Sequence, residues 1–457
     1  MNNLSRALQF LFGMRETVNR SSYLKWGFGL MLLKLVLEVV LYWAATAQLV
    51  SPLQFLSPFV SQRYPNLQTL PDWYIPTVVL TSLPFVWIGA GMSIRRSADA
   101  GLSPWFGIGF FVPGLNYILF LLLSFCRSSA RQAWAVESRS PATMNFRASL
   151  AFVLGLAALG TLLTWLSTNH LTSYGSSLFF ASPLVLGLLQ SYFLGWKTAR
   201  TWRQISFSVV LTIALIHLLL LVFALEGIIC LAMSLPLSVA MALIGAAFGT
   251  AIANFSSPKK TGPVMLVLLL PGLSIVEKHW TPPVQDSVVS TVEVAALPEQ
   301  VWPHVVKFSD LPPANEWLFK LGVAHPLRAR IEGQGVGAVR RCEFSTGAFI
   351  EPITVWEAPH HLAFDVRYQP QPLREVSFYD HVDAPHLNGY FRSVRGEFRL
   401  TQTPDGLTRL EGQTWYEMEM HPGWYWQLYG RWFIHQIHLR VLNHIKNLTE
   451  AELSIRH

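Results

Sequence analysis

The chain has 457 residues, 51% of them hydrophobic and 13% charged, with a formal net charge of +7. That balance is too apolar for one soluble globule. Residues 1–278 hold 18 Lys and Arg against 7 Asp and Glu, and the rest holds 16 against 20. The basic excess therefore belongs to the apolar part, which points to membrane orientation and away from nucleic acid. Three cysteines, Cys126, Cys230 and Cys342, make no disulfide scaffold.

Apolar runs of spanning length are expected at Leu24–Val50, Tyr74–Ile94, Leu150–Thr168, Ser177–Trp196, Ile205–Leu225 and Gly227–Ala253. The first run starts too late and runs too long for a cleavable signal peptide. Two further stretches are ambiguous. Pro104–Cys126 is broken by Val112-Pro113-Gly114, and Pro263–Val276 is short and contains Pro271-Gly272. Basic residues cluster before the first run (Arg6, Arg15, Arg20, Lys25), in the Arg127–Arg147 loop, at Lys197, Arg200 and Arg203, and at Lys259 and Lys260. All these loops fall on the cytoplasmic side if Pro104–Cys126 dips into the membrane and returns. The side of the C-terminal region then turns on whether Pro263–Val276 crosses, with a lean toward the periplasm.

Gly13-Met14-Arg15-Glu16-Thr17-Val18-Asn19-Arg20-Ser21-Ser22-Tyr23 precedes the first run, and Arg95-Arg96-Ser97-Ala98-Asp99-Ala100-Gly101 follows the second. These blocks resemble the YhaH-like (DUF805) inner-membrane proteins of bacteria, a family of unknown function. Ser97-Ala98 stands where the family pattern has Leu-His. The resemblance implies a bacterial inner membrane.

From Ser287 the pattern changes. Ser287–Val294 is β-branched and predicts a strand. Pro298 opens a helix with Val301, Trp302, Val305 and Phe308 on one face, and a second short helix is expected near Asn315–Leu321. Strands follow at Ala338–Ser345, Ala348–Trp356, Leu362–Tyr368, Phe391–Thr401 and Leu407–Met418, the last two joined by the turn Thr403-Pro404-Asp405-Gly406. Pro422–Thr449 is a long aromatic helix. A curved antiparallel sheet gripping one long helix leaves a gap suited to an apolar ligand. With Val292–Trp302, Gly335-Val336-Gly337 and Arg409-Leu410-Glu411-Gly412, this stretch resembles the SRPBCC (START-like, polyketide cyclase-like) superfamily. The expected organisation is a membrane domain over residues 1–128, further spans over 129–280 and an α+β helix-grip domain over 281–457.

Strand parity and the helix face nominate Phe344, Phe364, Phe398, Trp415, Tyr416, Trp426 and Trp432 as cavity liners, or simply as core. The densest polar stretch, Arg374–Arg395, reads as a loop at the cavity mouth, with Arg374, His381 and His386 as contacts or acid–base groups, or as a solvated surface loop. His381 and His386 with Asp380 or Asp383 have only generic metal-ligand spacing. No metal site or cofactor is therefore expected. His435 and His438 read as packed helix residues, and Cys342 as a free buried thiol. Lys34 and Glu38 form an ion pair or a functional site within the first span. His217 and Glu226 make a proton path or a packed histidine and a helix-end carboxylate. The expected partners are the bilayer and a hydrophobic small molecule or lipid. A cyclase- or dehydratase-type enzyme and a structural protein with a filled cavity are the alternatives.

Overall fold

The computed structural model describes residues 3–57, 63–64, 70–71, 73–112, 114–129, 146–196, 200–255, 265–379, 382 and 384–456. Pro113, most of the 127–147 loop, Lys259, Lys260, Asp380, His381 and Asp383 thus lie outside the described residues. The chain divides into two compact units. One comprises residues 1–160, 180–215 and 237–269, and the other 161–179, 216–236 and 270–457.

Among the described residues, six helical segments are long and apolar enough to cross a membrane: Arg20–Thr46, Tyr74–Asp99, Arg147–His170, Ser177–Gly195, Trp202–Val222 and Ile228–Phe255. They match the six runs expected. The helices are α1 (Asn3–Phe12), α2 (Arg20–Thr46), α3 (Tyr74–Asp99), α4 (Leu115–Phe125), α5 (Phe146–Trp165), α6 (Ser182–Trp196), α7 (Trp202–Val222), α8 (Ile228–Phe255) and α9 (Met265–Trp280). The stretch Pro104–Cys126 forms a 3-10 turn, Pro104–Phe111, and then α4. At 1.5 Å per residue, α4 reaches only about 17 Å of a roughly 30 Å hydrocarbon core.

In the first unit, Arg95 and Arg96 near the end of α3 are almost wholly buried. Each ties down the end of another helix. Arg95 Nη1 donates to the carbonyls of Phe10 (2.7 Å) and Gly13 (2.9 Å) at the end of α1. Arg96 Nε donates to the Leu123 carbonyl (3.1 Å), its Nη2 to that of Cys126, and its Nη1 pairs with Asp99. A helix leaves its last carbonyls unpaired and its C-terminus partially negative, so a guanidinium satisfies both demands. Lys34 and Glu38 form the expected ion pair, and Arg63 approaches Glu38 at 3.6 Å. The helices α6 and α8 meet backbone to backbone. A Cβ on Gly187 would lie 2.0 Å from the Ala242 carbonyl oxygen, and one on Gly245 1.9 Å from that of Leu184. Only glycine allows that approach.

The second unit holds a seven-stranded antiparallel sheet, ordered β1-β7-β6-β5-β4-β3-β2. Its strands are β1 (Val284–Val294), β2 (Pro326–Glu332), β3 (Val339–Phe344), β4 (Gly347–Glu357), β5 (His361–Asp365), β6 (Phe391–Gln402) and β7 (Thr408–Met418). Strands β2 to β7 form a meander, and β1 returns to pair along the whole of β7. Two short helices, α10 (Pro298–Val306) and α11 (Trp317–Lys320), precede β2, and α12 (Gly423–Arg456) closes the chain. Val294, Leu362, Leu400 and Leu410 of the sheet pack with Val441, Leu442 and Ile445 of α12 and Val301 and Val305 of α10. This is the expected helix-grip order. One strand, β2, was not anticipated. It is an edge strand carrying Arg328, Arg330 and Glu332. The β6–β7 turn is the expected one, with Gly406 at φ +80° and its N–H bonded to the Thr403 carbonyl at 3.0 Å. Positive φ there is what glycine supplies at no steric cost.

Removing the Arg96 guanidinium leaves buried carbonyls without donors, at about 1–3 kcal/mol each. Arg96→Met should lower the thermal midpoint of the detergent-solubilised protein well below that of the exposed-residue control Arg203→Met. Equal midpoints for the two variants would show that the capping arrangement contributes nothing.

Candidate functional site

Between the sheet and α12 lies a cavity of about 200 Å³. Its walls are chiefly apolar: Phe344, Phe364 and Phe398 from the sheet face Trp426, Phe433 and Leu442 from the helix. The pleat explains this lining. On β7 the even-numbered residues Thr408, Leu410, Gly412, Tyr416 and Met418 are the buried ones, and residues alternate faces along a strand. Gly412 faces inward, where an added Cβ would stand 3.5 Å from Leu442.

Parity also redistributes the nominated residues. Phe344, Phe364, Phe398, Trp426 and His386 line the cavity. Trp415 cannot share a face with Tyr416, and its ring lies on the outer side under the Arg395 guanidinium at 4.8 Å. Tyr416 is buried behind the wall, stacked on Phe391 and donating to Asp286 Oδ2 at 2.9 Å. Trp432 sits on the outer side of α12 against Trp317, with ring centroids 5.6 Å apart. Arg374 is exposed, and its backbone N–H donates to the Gly322 carbonyl at 2.8 Å. His381 lies outside the described residues.

Few polar groups face this cavity, and they are specific. Arg340 is buried at 3% exposure. It pairs with the buried Glu351 and stands over the Phe364 ring at 4.8 Å and the Phe398 ring at 5.6 Å. Burial opposes the Arg340 charge, but Glu351 outweighs it and holds the guanidinium protonated. Arg340 Nε has no hydrogen-bond partner among the described residues. Cys342 is a free thiol that burial pushes up to about 12, so it is not a ready nucleophile. His438 lines the cavity, with Nε2 at 2.8 Å from Thr414 Oγ1 and Nδ1 at 3.1 Å from Ser290 Oγ. His435 Nδ1 meets the same Ser290 hydroxyl at 2.7 Å.

At one place the wall becomes strongly polar. The 3-10 turn Pro385–Leu387 holds His386, anchored because Leu387 packs with Ile229, Leu318, Phe319 and Leu373. His386 Nε2 stands 3.1 Å from Cys230 Sγ and 3.1 Å from Glu375 Oε1. Its Nδ1 stands 3.2 Å from Glu226 Oε2 without hydrogen-bond geometry. Glu226 Oε1 accepts from the Tyr174 hydroxyl at 2.6 Å, and the Tyr174 ring meets the imidazole edge-on at 5.3 Å. Burial works against a charged imidazole here, but Cys230 and Glu226 outweigh it and hold His386 well above the usual histidine pKa. One donor atom from each of Glu226, Cys230, Glu375 and His386 lies within 4.8 Å of the others.

The sequence reading named His386 but not its company. Glu226 was paired with His217, whose Nε2 instead faces Ser234 Oγ at 3.3 Å. By composition Cys230 is simply a thiol in an apolar segment. Glu375 was one charge among many, yet it is the buried residue beside the exposed Arg374. Arg340 and Glu351 carried a faint signal, as charges in strands at positions whose neighbours two residues away are apolar.

A free histidine titrates near 6.5, and burial, reinforced by His435, brings His438 down to about 4. As pH falls from 6.5 to 4 the unfolded chain therefore takes up a proton that the folded one refuses, and stability is lost across that window. His438→Gln should lose less of its thermal midpoint than the parent between pH 7 and pH 4.5. Parallel losses would mean that His438 is not the group responsible.

No curated protein matches the chain. Among solved structures it is similar to a truncated norcoclaurine synthase from Thalictrum flavum, at 14% identity over 37% of this chain and 95% of that one, with a TM-score of 0.24. It is also similar to a protein from Nitrosospira multiformis, at 17% identity over 35% and 94%, TM-score 0.24. A third is the di-domain ARO/CYC protein StfQ of the steffimycin biosynthetic pathway, at 12% over 41% and 58%, TM-score 0.26. At the other end of the chain, residues 11–134 match the model of the family described as Protein of unknown function (DUF805).

Proposed function

We propose that this is a multi-pass protein of a bacterial inner membrane whose C-terminal domain takes up an apolar small molecule or lipid. The observation that carries this reading is the cavity of about 200 Å³ walled by Phe344, Phe364, Phe398 and Trp426. Burying an apolar group of side-chain size contributes about 1.5–3 kcal/mol, so a few such groups bind well with one polar contact for orientation. Arg340 Nε, charged and without a partner among the described residues, suits an acceptor on the ligand. A large side chain at Gly412 points at Leu442 and Phe398 across the gap. Gly412→Trp should abolish co-purification of lipid or other apolar molecules, read by mass spectrometry of extracts, while circular dichroism stays unchanged. Undiminished co-purification with an intact fold would end the binding reading. Turnover lost in His386→Ala with binding retained would favour the enzyme alternative instead.

Contacts within the C-terminal domain's own unit support a reading of its side of the membrane. By the charge count, the connections 171–176 and 223–227 lie opposite the basic loops. The C-terminal domain meets these connections. The His421 N–H donates to the Tyr174 carbonyl at 2.9 Å, the Tyr390 hydroxyl to that of Thr172 at 2.7 Å, and the Ile228 N–H to that of Val376 at 3.0 Å. The end of α9 does so too: Glu277 accepts from the N–H of Ser176 at 2.5 Å. The reading is therefore that α9 makes a seventh crossing and the domain is periplasmic. Asp405→Cys, on the β6–β7 turn, should react with a membrane-impermeant maleimide in intact spheroplasts above the parent background. Labelling that appears only after lysis would put the domain in the cytoplasm.

A further inference from the structure

We propose that Cys230, Glu375 and His386, backed by Glu226, form a site for one divalent transition-metal ion in the wall of the apolar cavity, with zinc the ion best suited. The donor set is one thiol, one imidazole and carboxylates. Thiolate and imidazole select zinc and its first-row neighbours, whereas magnesium and calcium take oxygen alone.

The geometry is that of ligands around a common centre. His386 Nε2 is 3.1 Å from Cys230 Sγ and 3.1 Å from Glu375 Oε1. A tetrahedral ion about 2.1 Å from nitrogen and oxygen and about 2.3 Å from sulfur holds such atoms roughly 3.4–3.6 Å apart. Those two pairs need to part by only a few tenths of an ångström to admit it, and the Cys230 and Glu375 donors lie within 4.8 Å of each other. The other imidazole nitrogen faces Glu226 at 3.2 Å, and Glu226 is itself fixed by the Tyr174 hydroxyl. A carboxylate behind a ligating histidine, held by its own hydrogen bond, is the usual support of a metal site.

Orphaned polar atoms give an independent reason. Glu226, Glu375 and His386 are 6%, 5% and 5% exposed. Yet Glu226 Oε2, Glu375 Oε2 and His386 Nδ1 have no hydrogen-bond partner among the described residues. A buried polar atom left so is unfavourable, more so where it is charged, and carboxylates and a thiol gathered in one dry place repel when ionised. A bound dication would neutralise that repulsion and give the Glu375 carboxylate a partner. The backbone has made room for this arrangement. A Cβ on Gly227 would lie 1.7 Å from Glu375 Oε2, so only glycine there leaves the carboxylate in place.

Three protein ligands leave a fourth position open. Cys230 and His386 are themselves part of the cavity lining. The open position thus faces whatever occupies the cavity, as in zinc sites that bind water or a substrate oxygen.

The full-length protein in detergent, stripped with chelator and equilibrated with zinc, should retain about one zinc per chain after desalting. Loaded with cobalt, it should show a thiolate-to-cobalt charge-transfer band. The isosteric Cys230→Ser should abolish that band, and Glu375→Gln should weaken zinc binding. Tyr174→Phe, which keeps the ring beside His386 and removes only the hydroxyl that holds Glu226, should weaken it by roughly 10–100-fold. Circular dichroism of each variant establishes that it has folded. Zinc at background in the parent, or a cobalt band of equal strength in Cys230→Ser, would overturn the assignment. Gly412→Trp should leave the zinc content unchanged, so failure of apolar ligand binding and failure of the metal site register separately.

Discussion

A charge taken out of water must find its counterpart on the spot, and this chain takes many out. Moving an isolated ion into an apolar interior costs several kcal/mol even after relaxation, so each buried ion dictates what surrounds it. In the first unit, Arg95 and Arg96 are affordable because each meets several carbonyls at the ends of α1 and α4. Lys34 and Glu38 neutralise each other one helical turn apart. In the second unit, Arg340 and Glu351 form an ion pair inside a phenylalanine box. At the cluster around His386 the same demand is only partly met among the described residues, with three of its polar atoms unpaired.

This constraint ties the two faces of the candidate site together. The cavity is apolar because side chains of sheet and helix turn the same way, and its few polar residues are there because each has a fixed partner. On the proposed binding reading, an apolar space with a guanidinium at one point and a sulfur–nitrogen–oxygen cluster at another would distinguish ligands by where their polar atoms sit. Such a space selects on shape first and on one or two polar positions second.

The broad plan was legible in the chain because it rests on periodicity. Spans announce themselves by length and strands by alternation, and the order of strands, short helices and final long helix leaves few ways to fold. The edge strand β2 is a weak case of the same signal, because Leu327, Ala329 and Ile331 alternate with Arg328, Arg330 and Glu332 over only a few residues opened by a proline. The site was half legible. Phenylalanines at Phe364 and Phe398 follow from parity, and Trp415 fails by the same rule, since consecutive residues cannot face one way. The cluster at His386 was out of reach for a different reason. Cys230 is 156 residues away in a segment whose composition speaks only of membrane, and no spacing rule relates a span's first turn to a loop between distant strands.

The arginines of β2 have a consequence for life in a crowded bilayer. Anchoring confines every copy to two dimensions and brings neighbouring domains to high local density. A sheet edge left open would then be offered repeatedly to another edge of its own kind. The outer side of β2 is not left open: the Ala329 N–H donates to the Phe308 carbonyl at 3.4 Å and the Leu311 N–H to the Leu327 carbonyl at 2.8 Å. A covering segment of this kind, beside the charges of Arg328, Arg330 and Glu332, leaves a neighbouring copy little bare backbone to pair with on that border.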